Sequence, residues 1–294
     1  MTMTSSPGAA YTFVERLAKD LQDAHFELPA FPEAVLRVQR ALQSSKTSAA
    51  DIVTILSSDP GLAARVLRVA NSAAFKPASS EITDLRAAVS RLGFNMVRTI
   101  AMEYAMRQLR RRKTLSAAAL AEIDSISSDS LRVASLCYVV AKHYTRVNAD
   151  QALLAGLLHG LGRLYVVMRA EEMAETATID IREVAASWQA TIGKAILESW
   201  GLPEPLQHAV EHQDDHEQSP IDAAEHAEPG VPVGVVTLTH VLIAAKILAA
   251  REGTDETPPV PALAWLDRMK RDGAAAVLVD HADEIESIRA SFSE

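Results

Sequence analysis

Helical periodicity runs through this chain while period-two alternation is missing, and that contrast constrains the fold more than any other feature. Leu85, Ala88, Val89 and Leu92 follow the i, i+3, i+4, i+7 spacing that lines one face of a helix. Ala34, Val35, Val38, Ala41 and Leu42 repeat it, as do Ala134, Cys137, Tyr138 and Ala141. No sustained alternating run flanked by turn pairs reads as a half-buried strand. The punctuation agrees. Asp59 before Pro60 is an N-cap followed by a proline at the first helical position, where its missing N–H costs nothing. Thr83 or Asp84 caps the next helix, and Gly93 separates that helix from another over 95–112. Gly201, followed by Leu202 and Pro203, ends the helix that holds Trp188 and Trp200. The expected fold class is all-α.

The expected organisation is two helical lobes, roughly 21–115 and 116–218, joined through the basic segment 107–120. Residues 1–20 read as an extension, and 219–294 as further helices that pack on the second lobe. A polar, acidic and proline-rich stretch over 214–234 is long for a connection inside a compact domain. Cys137 is the one cysteine, which excludes an intrachain disulfide and a cysteine-based zinc site, and its place on an apolar stripe suggests a buried, inert thiol. The first residues lack a charged start followed by an apolar run, so no leader is expected. The most apolar stretch, 231–250, contains Thr237, Thr239, His240 and Lys246, so a buried helix is expected there rather than a membrane span. A net charge of −9 argues against non-specific nucleic-acid binding, and a cytoplasmic location is expected.

No glycine-rich phosphate loop and no G-x-S-x-G elbow is present. His159 lies in the apolar run LLAGLLHGLG, flanked by Gly156 and Gly160, which share a helix face and permit close packing. His208, His212 and His216 recur every four residues beside Glu211, Asp214 and Asp215, the pattern of a solvated polar face. Arg107, Arg110, Arg111 and Arg112, with Lys113, form the concentrated basic patch. Cations at a helix C-terminus are the structural reading, and an anionic partner is the functional one. In the helix after Pro60, Leu62, Val66, Val69 and Ala70 face inward and Arg65 and Arg68 outward, with Asn71 and Ser72 closing it.

Three N-terminal passages carry a family resemblance: LPAFPEAVLRVQRAL (28–42), SSDPGLAARVLRVANSAAF (57–75) and ITDLRAAVSRLGFNMVRTIAM (82–102). Two more follow, ALLAGLLHGLGRLYV (152–166) and WQATIGKAILESWGLPEPLQHAVEHQ (188–213). Together they resemble the HDOD (HD-related output domain) family, over about 21–218. The resemblance implies a two-lobed helical fold and a regulatory role in bacterial signalling. The implied partners are signalling proteins, such as response regulators or cyclic-dinucleotide-turnover proteins, with a nucleotide second messenger as a further candidate.

It also implies where a metal site stands in the wider HD superfamily. Such a site needs imidazoles and carboxylates to hold a divalent ion that activates water. The His-Asp pair falls on His159-Gly160, the upstream histidine on Asp129, a further histidine on Gln189, a His-His pair on His212-Gln213 and the last aspartate on His240. So few acidic ligands remain that no catalytic residue, no metal and no cofactor is expected. Asp129, His159, His212 and His240 are instead the candidate ligand or partner groove. Two rivals stand beside this reading: a metal-dependent HD-type phosphohydrolase with a divergent site, and a nucleotide-binding effector that uses the arginine patch.

Overall fold

The computed structural model describes residues 7–22, 32–75, 81–109, 115–172, 180–216, 235–252, 261–269 and 274–293, and among them every regular element is helical. The all-α expectation holds, and the reason is local as well as global. Helix α2 (Glu33–Leu42) buries Ala34, Val35 and Val38 on one stripe. Helix α3 (Ala49–Ser57) opens with a capping box, in which Asp51 N–H donates to Ser48 Oγ at 3.2 Å and Ser48 N–H donates to Asp51 Oδ2 at 2.9 Å. Helix α4 (Pro60–Asn71) is capped by Asp59, whose Oδ1 accepts from Gly61 and Leu62 N–H at 3.0 and 3.1 Å. Helix α5 (Leu85–Leu109) begins where Asp84 Oδ1 accepts from Ala87 N–H at 2.8 Å. Its path breaks at Gly93, which takes φ 74° and ψ 167°. A residue with a Cβ is strained there, so the break expected from sequence falls where glycine allows it.

These four helices form the first lobe around Val35, Ile52, Leu62, Val66, Val97 and Ile100, all buried. One expectation is corrected in this lobe. Arg65 does not face outward: it is 5% exposed and its Nε donates to Glu103 Oε2 of α5 at 3.0 Å. Glu103 supplies the counter-charge that lets an arginine sit on the inner face of α4. Arg68 is exposed, as expected. Asn71 exchanges two hydrogen bonds with the backbone of Ile82, at 2.7 and 2.8 Å, and so fastens the two ends of the α4–α5 connection.

The second lobe is built on α6 (Ala117–Tyr144). Helix α7 (Ala149–Leu158) crosses it so closely that a Cβ on Gly156 would lie 2.5 Å from Ala134 Cα, which only a glycine tolerates. Helix α8 (Leu161–Glu171) follows after a corner at His159 and Gly160, then α9 (Ile181–Ser199), α10 (Glu204–Glu211) and α11 (Leu238–Arg251). The stretch Ala149–Glu171 is long and apolar enough to cross a membrane by composition, but 89% of its most apolar window is buried inside the fold. Cys137 is fully buried, and burial pushes its thiol pKa far above the ordinary range. Helix α11 is a core helix with ten buried positions, as its apolar sequence suggested.

The outer segments tie the lobes together. Helix α1 (Pro7–Gln22) docks on the second lobe through Asp20, which accepts from Arg169 Nε at 2.8 Å and from the Tyr165 hydroxyl at 2.9 Å. Gln43 Nε2 donates from the end of α2 to the carbonyls of Trp200 and Gly201, both at 3.2 Å. Short helices α12 (Ala264–Met269) and α13 (Ala276–Asp280) precede α14 (Ala282–Phe292). Helix α14 packs along α6 and also reaches the first lobe, with Ser291 Oγ donating to Ser72 Oγ at 2.7 Å and Phe292 set edge-on to Phe75.

Candidate functional site

A cavity of about 250 Å³ opens in the second lobe, lined by Ile126, Asp129 and Ser130 of α6, His159, Gly160 and Arg163 at the α7–α8 corner, Gln189 of α9, Asp214 after α10, and Lys246 of α11. Five separate segments converge on it. Of the candidate groove residues, Asp129 and His159 line it, and His212 and His240 do not.

His159 is held by its own helix. Its Nδ1 donates to the Gly156 carbonyl at 2.7 Å, because a carbonyl can only accept. That leaves Nε2 turned to the cavity, 3.7 Å from Asp129 Oδ2. The facing imidazole holds the Asp129 carboxyl below its ordinary range against partial desolvation, with Arg132 and Arg163 adding to the effect. The His159 carbonyl accepts from Gln213 Nε2 at 3.1 Å, and the fully buried Gln213 also donates to the Val210 carbonyl at 2.9 Å.

Lys246 completes the arrangement. Its ammonium donates to Gln213 Oε1 at 2.8 Å and to Asp214 Oδ1 at 2.5 Å, while Asp214 Oδ2 accepts from Gln189 Nε2 at 3.1 Å. Both oxygens of Asp214 are therefore engaged, and a fixed positive charge stands at the centre of the polar cluster. At Gly160, a Cβ would lie 2.9 Å from Ser130 Oγ and 3.0 Å from Ile126 Cγ2. The position where the superfamily pattern has its aspartate is thus crowded by two side chains of α6, which would have to shift to admit a Cβ.

These residues do not fit a divalent ion of the HD type. Asp129 and His159 are the two ligand-type side chains not already tied to the lysine network. An ammonium beside Asp214 repels a second cation and takes the carboxylate that would hold it.

His212 and His240 belong to a different cluster. His212 packs against the His208 ring at 4.3 Å, and His208 Nδ1 lies 3.1 Å from Thr239 Oγ1. His240 caps α11: its Nδ1 accepts the Thr237 backbone N–H at 3.0 Å. The helix thereby presents Lys246, not His240, to the cavity. Burial, with a contribution from His208, lowers the His240 pKa from its ordinary 6.5. The unfolded chain then binds a proton at a pH where the folded chain does not, so stability is full above about pH 6.5 and falls as pH drops below it. His240→Gln keeps an N3 acceptor for the cap without a titrating ring. Urea midpoints measured from pH 7.5 to 5.5 are expected to fall less steeply in that variant than in the parent. Equal slopes would show that His240 does not carry the effect.

The basic patch divides. Arg107 is already engaged within the fold: its Nε donates to Glu103 Oε1 at 2.8 Å and its guanidinium also reaches the Phe292 carbonyl at 2.5 Å. Arg110, Arg111 and Arg112 lie outside the described residues, as does 217–234 of the acidic stretch. Sequence reasoning missed Lys246, Asp214 and the bridging role of Gln213. The signal was present in Lys246, a lone cation in the apolar run VLIAAKILAA, which needs a counter-charge within reach.

A helical lobe with His159 and Gly160 at its α7–α8 corner defines the class: HD-related helical folds. The chain belongs to the HDOD domain family, whose profile matches residues 28–216. A structure from Shewanella amazonensis SB2B, provisionally assigned as a metal-dependent phosphohydrolase, is 26% identical with a TM-score of 0.72, covering 97% of this chain and 99% of that one. An HDOD domain protein of unknown function from Geobacter sulfurreducens superposes with a TM-score of 0.61 at 21% identity, covering 97% and 98% of the two chains. An uncharacterized protein of Treponema pallidum (strain Nichols) is 25% identical over 222 residues, which is 68% of this chain and 40% of that protein. The chain therefore spans less than half the length of that curated relative.

Proposed function

We propose that this HDOD protein is a non-catalytic signalling module that acts by contact with another protein. The observation that carries the reading is Lys246, whose ammonium is bonded to Asp214 and Gln213 where a hydrolytic ion would need acidic ligands. The crowding of Gly160 by the side chains of Ser130 and Ile126 is in keeping with it. At about 250 Å³ the cavity is smaller than the roughly 300–1,000 Å³ of typical ligand pockets, which argues against a cyclic dinucleotide at this particular site. A cytoplasmic setting and signalling partners, such as response regulators or cyclic-dinucleotide-turnover proteins, belong to the same proposal.

The rival is a divergent metal-dependent phosphohydrolase. It draws on the Asp129–His159 pair and on the assignment of the Shewanella structure. Assays with phosphomonoesters, cyclic nucleotides and cyclic dinucleotides, each with added Mn2+, Fe2+, Mg2+ or Zn2+, decide between them. No turnover above the buffer rate is expected. In the source cell, a His159→Ala chain that folds is expected to complement a deletion. Metal-dependent turnover lost in His159→Ala, together with failed complementation, would establish the enzyme instead.

A further inference from the structure

A second cluster, where α6 meets helices beyond the family-matched region, has the chemistry that the cavity lacks. His143 ends α6, His281 lies between α13 and α14, and Glu284 is in the first turn of α14. One ligand atom from each falls within 4.8 Å of the others. His143 Nε2 is 2.7 Å from Glu284 Oε2, and His281 Nδ1 is 3.9 Å from that same oxygen.

We propose that His143, His281 and Glu284 form a site for a borderline divalent transition ion such as Zn2+, which pins the C-terminal helix to the end of α6. Two imidazoles and one carboxylate suit zinc, cobalt or nickel, and water can fill the remaining position. Tetrahedral ligands at metal distances of about 2.0–2.1 Å stand about 3.4 Å apart, between the two separations observed.

The surroundings are already oriented for this. The Tyr144 hydroxyl lies 2.8 Å from His281 Nε2, so Nε2–H donates to it when Nδ1 faces an ion. Such an outer bond fixes the tautomer and ring plane of a ligating histidine. Lys142 Nζ takes Glu284 Oε1 at 2.6 Å and leaves Oε2 to face the imidazoles. The His143 and His281 rings are stacked, with centroids 4.3 Å apart and planes at 24°. Their lone pairs do not converge in that stack, so ligation requires a rotation of one ring. His143, with a side chain 33% exposed, has the freedom to turn.

The same lysine sets the expected strength. Its charge offsets that of Glu284, so micromolar affinity is expected rather than that of a permanent structural zinc. Occupancy would stiffen the link between lobes, because α14 also bonds Ser72 of the first lobe.

The test uses the full chain, stripped of metal and titrated with Zn2+ by calorimetry, then with Co2+ as a spectroscopic probe. One ion per chain is expected, with a visible Co2+ spectrum and a raised melting temperature. His143→Gln and His281→Gln are each expected to weaken binding at least about tenfold. His159→Ala and His212→Gln should leave it unchanged. Lys142→Met is expected to tighten it, an outcome that a plain ion-pair clamp does not predict. In the unmutated chain, Co2+ should shift the ring signals of His143 and His281, so the proposal stays testable if a variant fails to fold. Millimolar or no binding, or unshifted rings at those two positions, overturns it. The phosphohydrolase assays read a different site and are unaffected by either outcome.

Discussion

Gly162→Ala is expected to destabilise the chain by at least about 3 kcal/mol, lowering the melting temperature by roughly 6–12 °C. The cause is the approach of α8 to α9. A Cβ on Gly162 would sit 2.0 Å from the Gln189 carbonyl oxygen, 2.7 Å from its carbon and 2.9 Å from Gln189 Cα. These are backbone atoms in the middle of a helix, so no side-chain rotation relieves the clash. The two helices must separate, which uncovers buried residues such as Leu164 and Ile192. The shift also moves Gln189, and with it the bond to Asp214 at the cavity. Gly93→Ala is the control. Gly93 has nothing within 4 Å of its would-be Cβ, so that change costs only the backbone strain of φ 74°, ψ 167°, about 1–3 kcal/mol. Urea unfolding of the two variants measures the difference. A Gly162→Ala chain no less stable than Gly93→Ala would show that α8 and α9 are not in fixed contact.

Much of this fold is legible in the sequence because its determinants are local. The stripe of α2, the caps at Asp59 and Asp84 and the stop at Gly201 each act within a few residues of the chain. Half of the cavity is legible for a related reason. His159, Gly160, Asp129 and Gln189 fall on positions that a sequence pattern marks, and they line one cavity. Arg65 was misread because its partner Glu103 lies 38 residues away, and helical periodicity alone assigns a charge to the outside. The resemblance puts His240 in the groove by position along the chain, but the rotation of α11 about its axis is set by docking. Lys246 turns inward on that helix, and His240 serves the cap instead. The C-terminal cluster was invisible for the same reason: His143 and Glu284 are 141 residues apart.

Removing the carboxylate of Glu103 is expected to cost about 3–5 kcal/mol, because it strands a buried charge. Glu103 accepts from Arg65 at 3.0 Å through Oε2 and from Arg107 at 2.8 Å through Oε1. The three side chains differ in their access to water. Those of Arg65 and Glu103 are 5% and 10% exposed, and that of Arg107 is 27% exposed. In Glu103→Ala, Arg107 keeps its bond to the Phe292 carbonyl and a path to solvent. The Arg65 side chain is far less open to water. Burial already depresses its pKa, and the attraction of Glu103 is the largest effect opposing that. The cost of Glu103→Ala is therefore mostly the desolvated guanidinium left behind rather than the worth of the pair. That distinction has a measurable consequence. Arg65→Met combined with Glu103→Leu replaces both charges with apolar groups of similar length, and it is expected to lie within about 1 kcal/mol of the parent. Raising NaCl from 0.1 to 0.5 M should change neither result much, since the pair is shielded from solvent ions. Urea unfolding of the two single variants and the double variant completes the cycle. A double variant as unstable as Glu103→Ala would show that the ion pair itself stabilises the junction of α4 and α5, and that stranding Arg65 is not the source of the loss.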